Sequence, residues 1–355
     1  MSKYKMTIIL TIVSAITLSG CGLFGGEKKD QVDPPKEVTY TDDGKEVTGE
    51  TNATEKEATG KESAVEGTLK TELYLIDKNG LVVPQTLELP KKESVATQAL
   101  QYLVKDGPVT DLLPNGFQAV LPEETRMSVN VKDKVATVDF SNEFKNYQAE
   151  DESKILQSIT WTLTQFDTIE KVKLQLNGHP LNEMPVNGTP IGEELTRKDG
   201  INLDTSQVAD ITNTKAVTVY YLGGETDSYY YVPVTKRVSN KMENNIDAAI
   251  KELVKGPNIE SKLVNEMSPE VKLLEEPIVK NGQVTLNFNE SIYGSFDKKV
   301  ISQHVLDSLV LSLTEQSGIE SVVITVNGKA ELETEKGKKL TEPVTRPENV
   351  NTGSF

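Results

Sequence analysis

The chain has one cysteine in 355 residues, two histidines and one tryptophan. A single thiol excludes a disulfide within the chain, and leaves no candidate for a cysteine-based zinc site or a second thiol nucleophile. Two histidines that do not match between repeats make neither a metal centre nor a triad. No Gly-rich phosphate loop follows a strand, and neither Gly-x-Ser-x-Gly nor His-Glu-x-x-His occurs. Positive charge is in deficit: 38 Lys and Arg stand against 54 Asp and Glu, a formal net charge of -16. That balance argues against nucleic acid and against tight docking on anionic lipid or acidic wall polymers. Long apolar runs are missing too, since nothing after residue 21 is long and apolar enough to cross a bilayer.

The one apolar run, Met6 to Leu18, follows Lys3 and Lys5 and ends at Leu18-Ser19-Gly20-Cys21. This is the pattern of a bacterial lipoprotein signal. Small residues before the cysteine admit the peptidase, and the thiol at the new N-terminus carries the diacylglyceryl group. Residues 1–20 are therefore expected to be a signal peptide, Cys21 the lipid attachment site, and the rest of the chain tethered at the outer face of the cytoplasmic membrane. Loss of Lys3 and Lys5 with the leader takes the formal charge from -16 to -18. Residues 21–70 read as the lipidated cysteine followed by a disordered acidic linker. Glu27 to Lys70 is rich in Glu, Lys, Thr, Gly and Asp, with Pro34-Pro35 and almost no aliphatic pair, and cannot bury enough apolar surface to fold. As a flexible coil that stretch reaches roughly 35 to 40 Å.

The remainder is one unit written twice, offset by about 150 residues. Leu103-Val104-Lys105-Asp106-Gly107-Pro108 recurs as Leu253-Val254-Lys255-Gly256-Pro257, and Val138-Asp139-Phe140 as Leu286-Asn287-Phe288. Leu163-Thr164-Gln165 answers to Leu313-Thr314-Glu315, and the Asn177-Gly178 strand exit to Asn327-Gly328. The tails match as well: Thr196-Arg197 and Ile201-Asn202 correspond to Thr345-Arg346 and Val350-Asn351. A repeat of this length is a domain.

Within each copy the order reads β-β-α-β-β-α-β. Thr71 to Ile76 and Leu81 to Leu89 flank an Asn-Gly turn, with Ala216 to Leu222 and Tyr229 to Val234 in the second copy. A helix follows, with Ala96, Ala99, Leu100, Leu103 and Val104 on one face and Ser94 as N-cap; Ile246, Ala249, Ile250, Leu253 and Val254 repeat the stripe. A second hairpin pairs Met127 to Val131 with Val135 to Phe140, matched by Val271 to Leu274 and Gln283 to Phe288. A longer helix carries Ile155, Ile159 and Leu163, or Val305, Leu309 and Leu313, before the last strand. The fold class is α+β: two tandem homologous domains, each a mostly antiparallel or mixed sheet with two helices on one face.

The Leu-Val-Lys-(Asp)-Gly-Pro helix ends, the Asp/Asn-Phe strand ends and the Asn-Gly exits together resemble tandem GerMN domains, over roughly residues 71 to 355. The resemblance implies a first domain at 71–205 and a second at 206–355, with a fold similar to the ring-building motifs of secretion systems. It further implies an endospore-forming source, a role in spore formation and later germination, and a place on the mother-cell membrane facing the intermembrane space. Envelope or secretion-like channel proteins of the mother cell–forespore interface are the partners it implies.

Reactive residues do not survive the duplication. His179 stands where the second copy has Lys329, and His304 where the first has Lys154. Asp139 becomes Asn287, which removes a general base from one copy. No catalytic residue, metal site or cofactor is expected. Asn142-Glu143 and Asn289-Glu290 are retained past a strand end, where such groups cap or turn the backbone or build a contact surface. Arg197 and Arg346 also recur, as ties to a carboxylate in the domain's own tail or to a partner's acidic group. Trp161 reads as core or groove. Tyr220, Tyr221, Tyr229, Tyr230 and Tyr231 crowd one hairpin, where strand alternation exposes about half of them for protein or glycan contact. A noncatalytic, lipid-anchored assembly protein fits all of this. The alternatives are a peptidoglycan-binding or wall-remodelling accessory protein and a solute-binding lipoprotein.

Overall fold

The computed structural model describes residues 67–353 apart from 93, 207–210, 227, 242–243 and 295–298. The expected signal peptide, Cys21 and most of the linker lie outside the described residues. The two repeats fall within one compact unit.

The first repeat opens with an antiparallel hairpin of β1 (Thr68–Ile76) and β2 (Val82–Pro90). Asp77 shapes its turn, taking the N–H groups of Asn79 and Leu81 on one carboxylate oxygen, both at 2.8 Å. Then come α1 (Val95–Gln101), β3 (Met127–Lys132), β4 (Val135–Phe140), α2 (Glu152–Leu163), β5 (Lys171–Leu176) and the short β6 (His179–Pro180). The second repeat follows the same plan with β7 (Thr214–Glu225), β8 (Ser228–Ser239), α3 (Asn245–Lys255), β9 (Ile278–Lys280), β10 (Gln283–Phe288), β11 (Val300–Ile301), α4 (Gln303–Thr314), β12 (Ser321–Val326), β13 (Glu333–Thr334) and β14 (Val344–Thr345).

The main sheets run β3-β4-β5-β6 and β14-β12-β10-β9. In each, an antiparallel pair from the second hairpin is extended by one parallel strand, β5 beside β4 and β12 beside β10. The parallel neighbour is reached through the long helix, which is why each sheet is mixed. Alternation is clean: Ala136, Val138 and Phe140, like Val284, Leu286 and Phe288, face the core, while intervening residues stay half-exposed. Ile155, Ile159 and Leu163 of α2 and Val305, Leu309 and Leu313 of α4 close that core from one side. Each long helix also ties down its first hairpin, since the Thr162 hydroxyl accepts from the Tyr74 N–H at 3.0 Å and the Ser312 hydroxyl from the Tyr220 N–H at 2.8 Å.

Two elements differ from expectation. Helix α1 stops at Gln101, because Leu103 and Lys105 turn their backbones to Val120 and Leu121 instead; Ser94 sits at its start without a side-chain cap bond. Helix α3 has the cap that α1 lacks, with Asn244 Oδ1 accepting from the Asp247 N–H at 2.7 Å, and runs on to Gly256, whose φ is 81°. The partner of β10 is Ile278–Lys280, with Val271 to Leu274 contributing only the bridge at Leu273. Pro277 offers no N–H, so the ladder breaks at Glu275-Glu276-Pro277 and restarts where the Asn281-Gly282 turn can close a two-residue hairpin.

Candidate functional site

The tails that end the two repeats are exchanged. Ile201, from the first, pairs with Thr235 on β8 of the second domain: its N–H donates to the Thr235 hydroxyl at 2.9 Å, and the Thr235 N–H donates to its carbonyl at 2.8 Å. Val350, from the second, makes the corresponding bonds to Thr86 on β2 of the first domain, at 2.9 and 3.1 Å. The residue after each is an asparagine in the left-handed region, Asn202 with φ 46° and Asn351 with φ 57°. Asparagine tolerates that conformation better than other side-chain-bearing residues. The side chain of Asn202 brackets Val82 of β2, accepting from its N–H at 2.9 Å and donating to its carbonyl at 2.7 Å, and donates across to the Pro233 carbonyl of β8 at 2.8 Å. Asn351 brackets Tyr231 of β8 at 2.7 and 2.9 Å and donates across to the Pro84 carbonyl of β2 at 2.8 Å.

Two apolar clusters flank these bonds with the same correspondence. Tyr74, Val82, Trp161 and Ile201 form one, and Tyr220, Tyr231, Leu311 and Val350 the other. Position for position, the second set is the first set's repeat. The junction is therefore a pseudo-twofold interface in which each domain's tail holds the other's hairpin.

A charged cluster breaks that symmetry. Gln165 on the first side spends its amide on the Glu72 backbone, accepting at 2.7 Å and donating at 2.6 Å. Its counterpart Glu315 is free to take both tail arginines: Arg197 Nη1 lies 2.8 Å from Oε1, and Arg346 Nη1 lies 3.5 Å from Oε2. The Arg197 guanidinium stands 4.4 Å from the Trp161 ring centre, and that of Arg346 5.4 Å from the Tyr220 ring centre. Arg346 Nη2 also donates to the Tyr220 hydroxyl at 3.0 Å, and that hydroxyl donates to Glu315 at 3.1 Å. Burial raises the Glu315 carboxyl, but Arg197 and Arg346 outweigh it and hold the group below the ordinary carboxylate range. Burial likewise pushes the Tyr74 and Tyr220 phenols up. Both tail arginines thus meet one carboxylate of the second domain, and that carboxylate lies in neither tail.

The hairpin tyrosines are mostly interior. Tyr220, Tyr221 and Tyr230 are buried, while Tyr229 and Tyr231 are half-buried. Strand alternation exposes one face only while that face has no cover, and here the first domain covers it; Tyr230 reaches across to Asp77 at 2.7 Å. Trp161 is buried, with its indole N–H 3.3 Å from the Gly200 carbonyl.

Of the other candidates, Asp139, Asn287 and Asn289 serve the backbone. Asp139 and Asn287 do the same thing: each Oδ1 accepts from the glycine N–H of the Asn-Gly exit, Gly178 or Gly328, at 2.8 Å. The position requires an acceptor and no charge. Structurally Asn289 corresponds to Ser141, each bonding the strand start opposite it, Lys272 N–H at 2.9 Å and Arg126 N–H at 3.0 Å. The Asn-Glu matches of the sequence are consequently out of step by one residue. Asn142 is exposed and Glu143 half-buried, and Glu290 is exposed and accepts from Asn327 at 3.0 Å. His179 is exposed on β6, just after the Asn177-Gly178 turn, and His304 stands 2.9 Å from Glu266. Among the described residues no three His, Cys, Asp or Glu side chains are grouped as a metal ion requires.

Sequence reasoning paired the tails but missed the work of Asn202, Asn351 and Glu315. The signal for the asparagines was their recurrence at the same step after Ile201 and Val350. Glu315 had none, since its counterpart is Gln165.

A family model described as sporulation and spore germination matches residues 72–182 and 218–332. The spore germination protein GerM of Bacillus subtilis (strain 168) is 57% identical over 353 residues, covering 97% of this chain and 96% of that protein. The solved tandem GerMN domains of that sporulation protein share 60% identity with this chain, cover 81% of it and all of their own chain, and superpose with a TM-score of 0.77.

Proposed function

The chain belongs to the Germane family of sporulation and spore germination proteins, and on that premise we propose that it is a noncatalytic scaffold of the spore-forming cell's envelope. It is anchored by a lipid on Cys21 at the outer face of the mother-cell membrane. It presents its two domains to protein components of the channel between mother cell and forespore. The observation that carries this reading is the tail exchange. A junction fixed by Asn202, Asn351 and the Arg197–Glu315–Arg346 cluster makes one composite surface of two domains, as a scaffold needs. Of the polar pairs that recur, Asp139/Asn287 and Asn202/Asn351 bond backbone, and Arg197/Arg346 meet the buried Glu315 carboxylate.

Chromosomal variants in a spore-forming host test it. Cys21→Ala is expected to release the protein from the membrane and lower heat-resistant spore counts while the purified domains remain folded. Normal sporulation by the released protein would overturn the reading. Retention of purified protein on isolated peptidoglycan, with spore counts unmoved by Cys21→Ala, would instead favour a wall-binding accessory.

A further inference from the structure

The outer edge of the second domain's sheet is built differently from its twin. Thr137 of β4 faces Asn130 and Thr285 of β10 faces Ile278, so Asn130 and Ile278 occupy the same position, and Val131 answers to Val279. The first edge is six residues long and turns Ser128, Asn130 and Lys132 outward, the polar and charged side chains with which proteins discourage strand addition. The second carries Leu274, Ile278 and Val279, which are 48%, 60% and 51% exposed. Of the eight large apolar side chains exposed among the described residues, three fall within six positions, so this is a patch and no scatter.

The backbone is open there too. With a two-residue Asn281-Gly282 turn, Lys280 and Gln283 form the hydrogen-bonded pair that closes the hairpin, and antiparallel alternation then points the Val279 N–H and C=O away from β10. Strand β9 ends its sheet.

We propose that this edge is where two copies of the chain meet, β9 of one pairing antiparallel with β9 of the other about a twofold axis at Val279. The choice of occupant follows from the strand's own polarity. Glu275 and Glu276 stand exposed at one end and Lys280 at the other. A wholly basic foreign strand would satisfy the first end and oppose the second. An antiparallel copy satisfies both: Val279 exchanges N–H and C=O bonds with Val279, Ile278 packs beside the Lys280 stem, and each Lys280 ammonium comes within reach of Glu276 on the opposite chain. Pro277, having no N–H, limits the pairing to three residues. So short a contact falls below the roughly 1,200 Å² of standard interfaces, and both chains are acidic, which makes a weak dimer. Salt strengthens it by screening the long-range repulsion, and shared tethering to a membrane strengthens it by raising local concentration. The inference stands on the edge geometry alone and is independent of the channel reading.

Cys21 is the chain's only cysteine, so a full chain carrying Cys21→Ser and Val279→Cys has one thiol. Antiparallel pairing at that residue sets the two Cα atoms about 5.5 Å apart, within disulfide range. Under mild oxidation in solution at high salt, the Val279→Cys chain is expected to form a covalent dimer at least tenfold faster than the same chain with Asn130→Cys in its place. Adding Ile278→Lys should abolish the difference. Equal rates for the two thiols, or a fast dimer that survives Ile278→Lys, would overturn the proposal.

Discussion

Asn202 and Asn351 make the same three hydrogen bonds with the domains interchanged: each brackets one residue of its own domain's hairpin and donates to a proline carbonyl on the other's. Proline has no N–H, so Pro84 and Pro233 leave gaps in which the strand backbones approach a side chain instead of a strand. An amide suits that gap because it carries a donor and an acceptor on one plane.

Replacing either asparagine by aspartate keeps the acceptor and the backbone preference but removes the donors and buries a charge. Asn351→Asp and Asn202→Asp are each expected to cost about 2 to 4 kcal/mol. The two values should agree closely, because the sites are equivalent. Urea unfolding of the paired variants measures this, and a cost confined to one of them would show that the correspondence is geometric without being energetic.

Glu315→Gln leaves Arg197 facing a neutral acceptor, and Arg346 with only the Glu72 carboxylate 4.0 Å away, in a mostly buried setting. The expected loss is about 3 kcal/mol. Gln165→Glu in the same protein should not restore it, since the Gln165 amide is committed to the backbone of Glu72. Thermal unfolding of the single and double variants decides the point.

Asp139→Asn should be nearly silent, within about 0.5 kcal/mol, because Asn287 performs the same bond in the second domain. Asp139→Ala removes the acceptor from the Gly178 N–H and should cost about 1 kcal/mol. A large loss in the asparagine variant would mean that the carboxylate charge has a use of its own.

Gln85 is fully buried with neither amide atom bonded among the described residues. Its counterpart in the second domain is Val234, on β8. Gln85→Val is therefore expected to stabilise the first domain by about 1 kcal/mol, by removing an unpaired polar group from the core. A lower melting temperature would refute it.

Glu152 carries the clearest pH dependence. Its burial raises the carboxyl, yet bonds from Thr189, Asn187 and Tyr147 more than compensate and bring it down to about 2 from 4.5. A carboxyl depressed on folding stabilises the native state above its unfolded value and loses that contribution as pH falls through the folded one. About 3 kcal/mol should disappear between pH 4.5 and 2. In Glu152→Gln the decline of stability over that window should be shallower, as read by urea midpoints at half-unit steps.

Periodicity sufficed for the elements that bury one face. The stripes Ile155-Ile159-Leu163 and Val305-Leu309-Leu313 and the alternating β4 and β10 lie as the sequence implies, because each is dictated by its own neighbours. Strand β9 was displaced because a proline-broken ladder can restart at more than one place, and only the Asn281-Gly282 turn chooses. The tail exchange was beyond reach for a different reason. A repeat shows that Ile201 corresponds to Val350, but both pairings, with the own hairpin or with the other, satisfy the same local pattern. The tyrosines of β7 and β8 illustrate the same limit, since what covers a strand's second face is set by the other domain.

The burial of Trp161 at the junction, beside Tyr74 at 5.6 Å and under the Arg197 guanidinium, has an optical consequence. It is the sole indole in the chain, so tryptophan emission originates entirely from the seam between the halves. If the tails let go while both domains stay folded, the emission moves to the red before the far-ultraviolet circular dichroism changes, and the molecule signals its own opening.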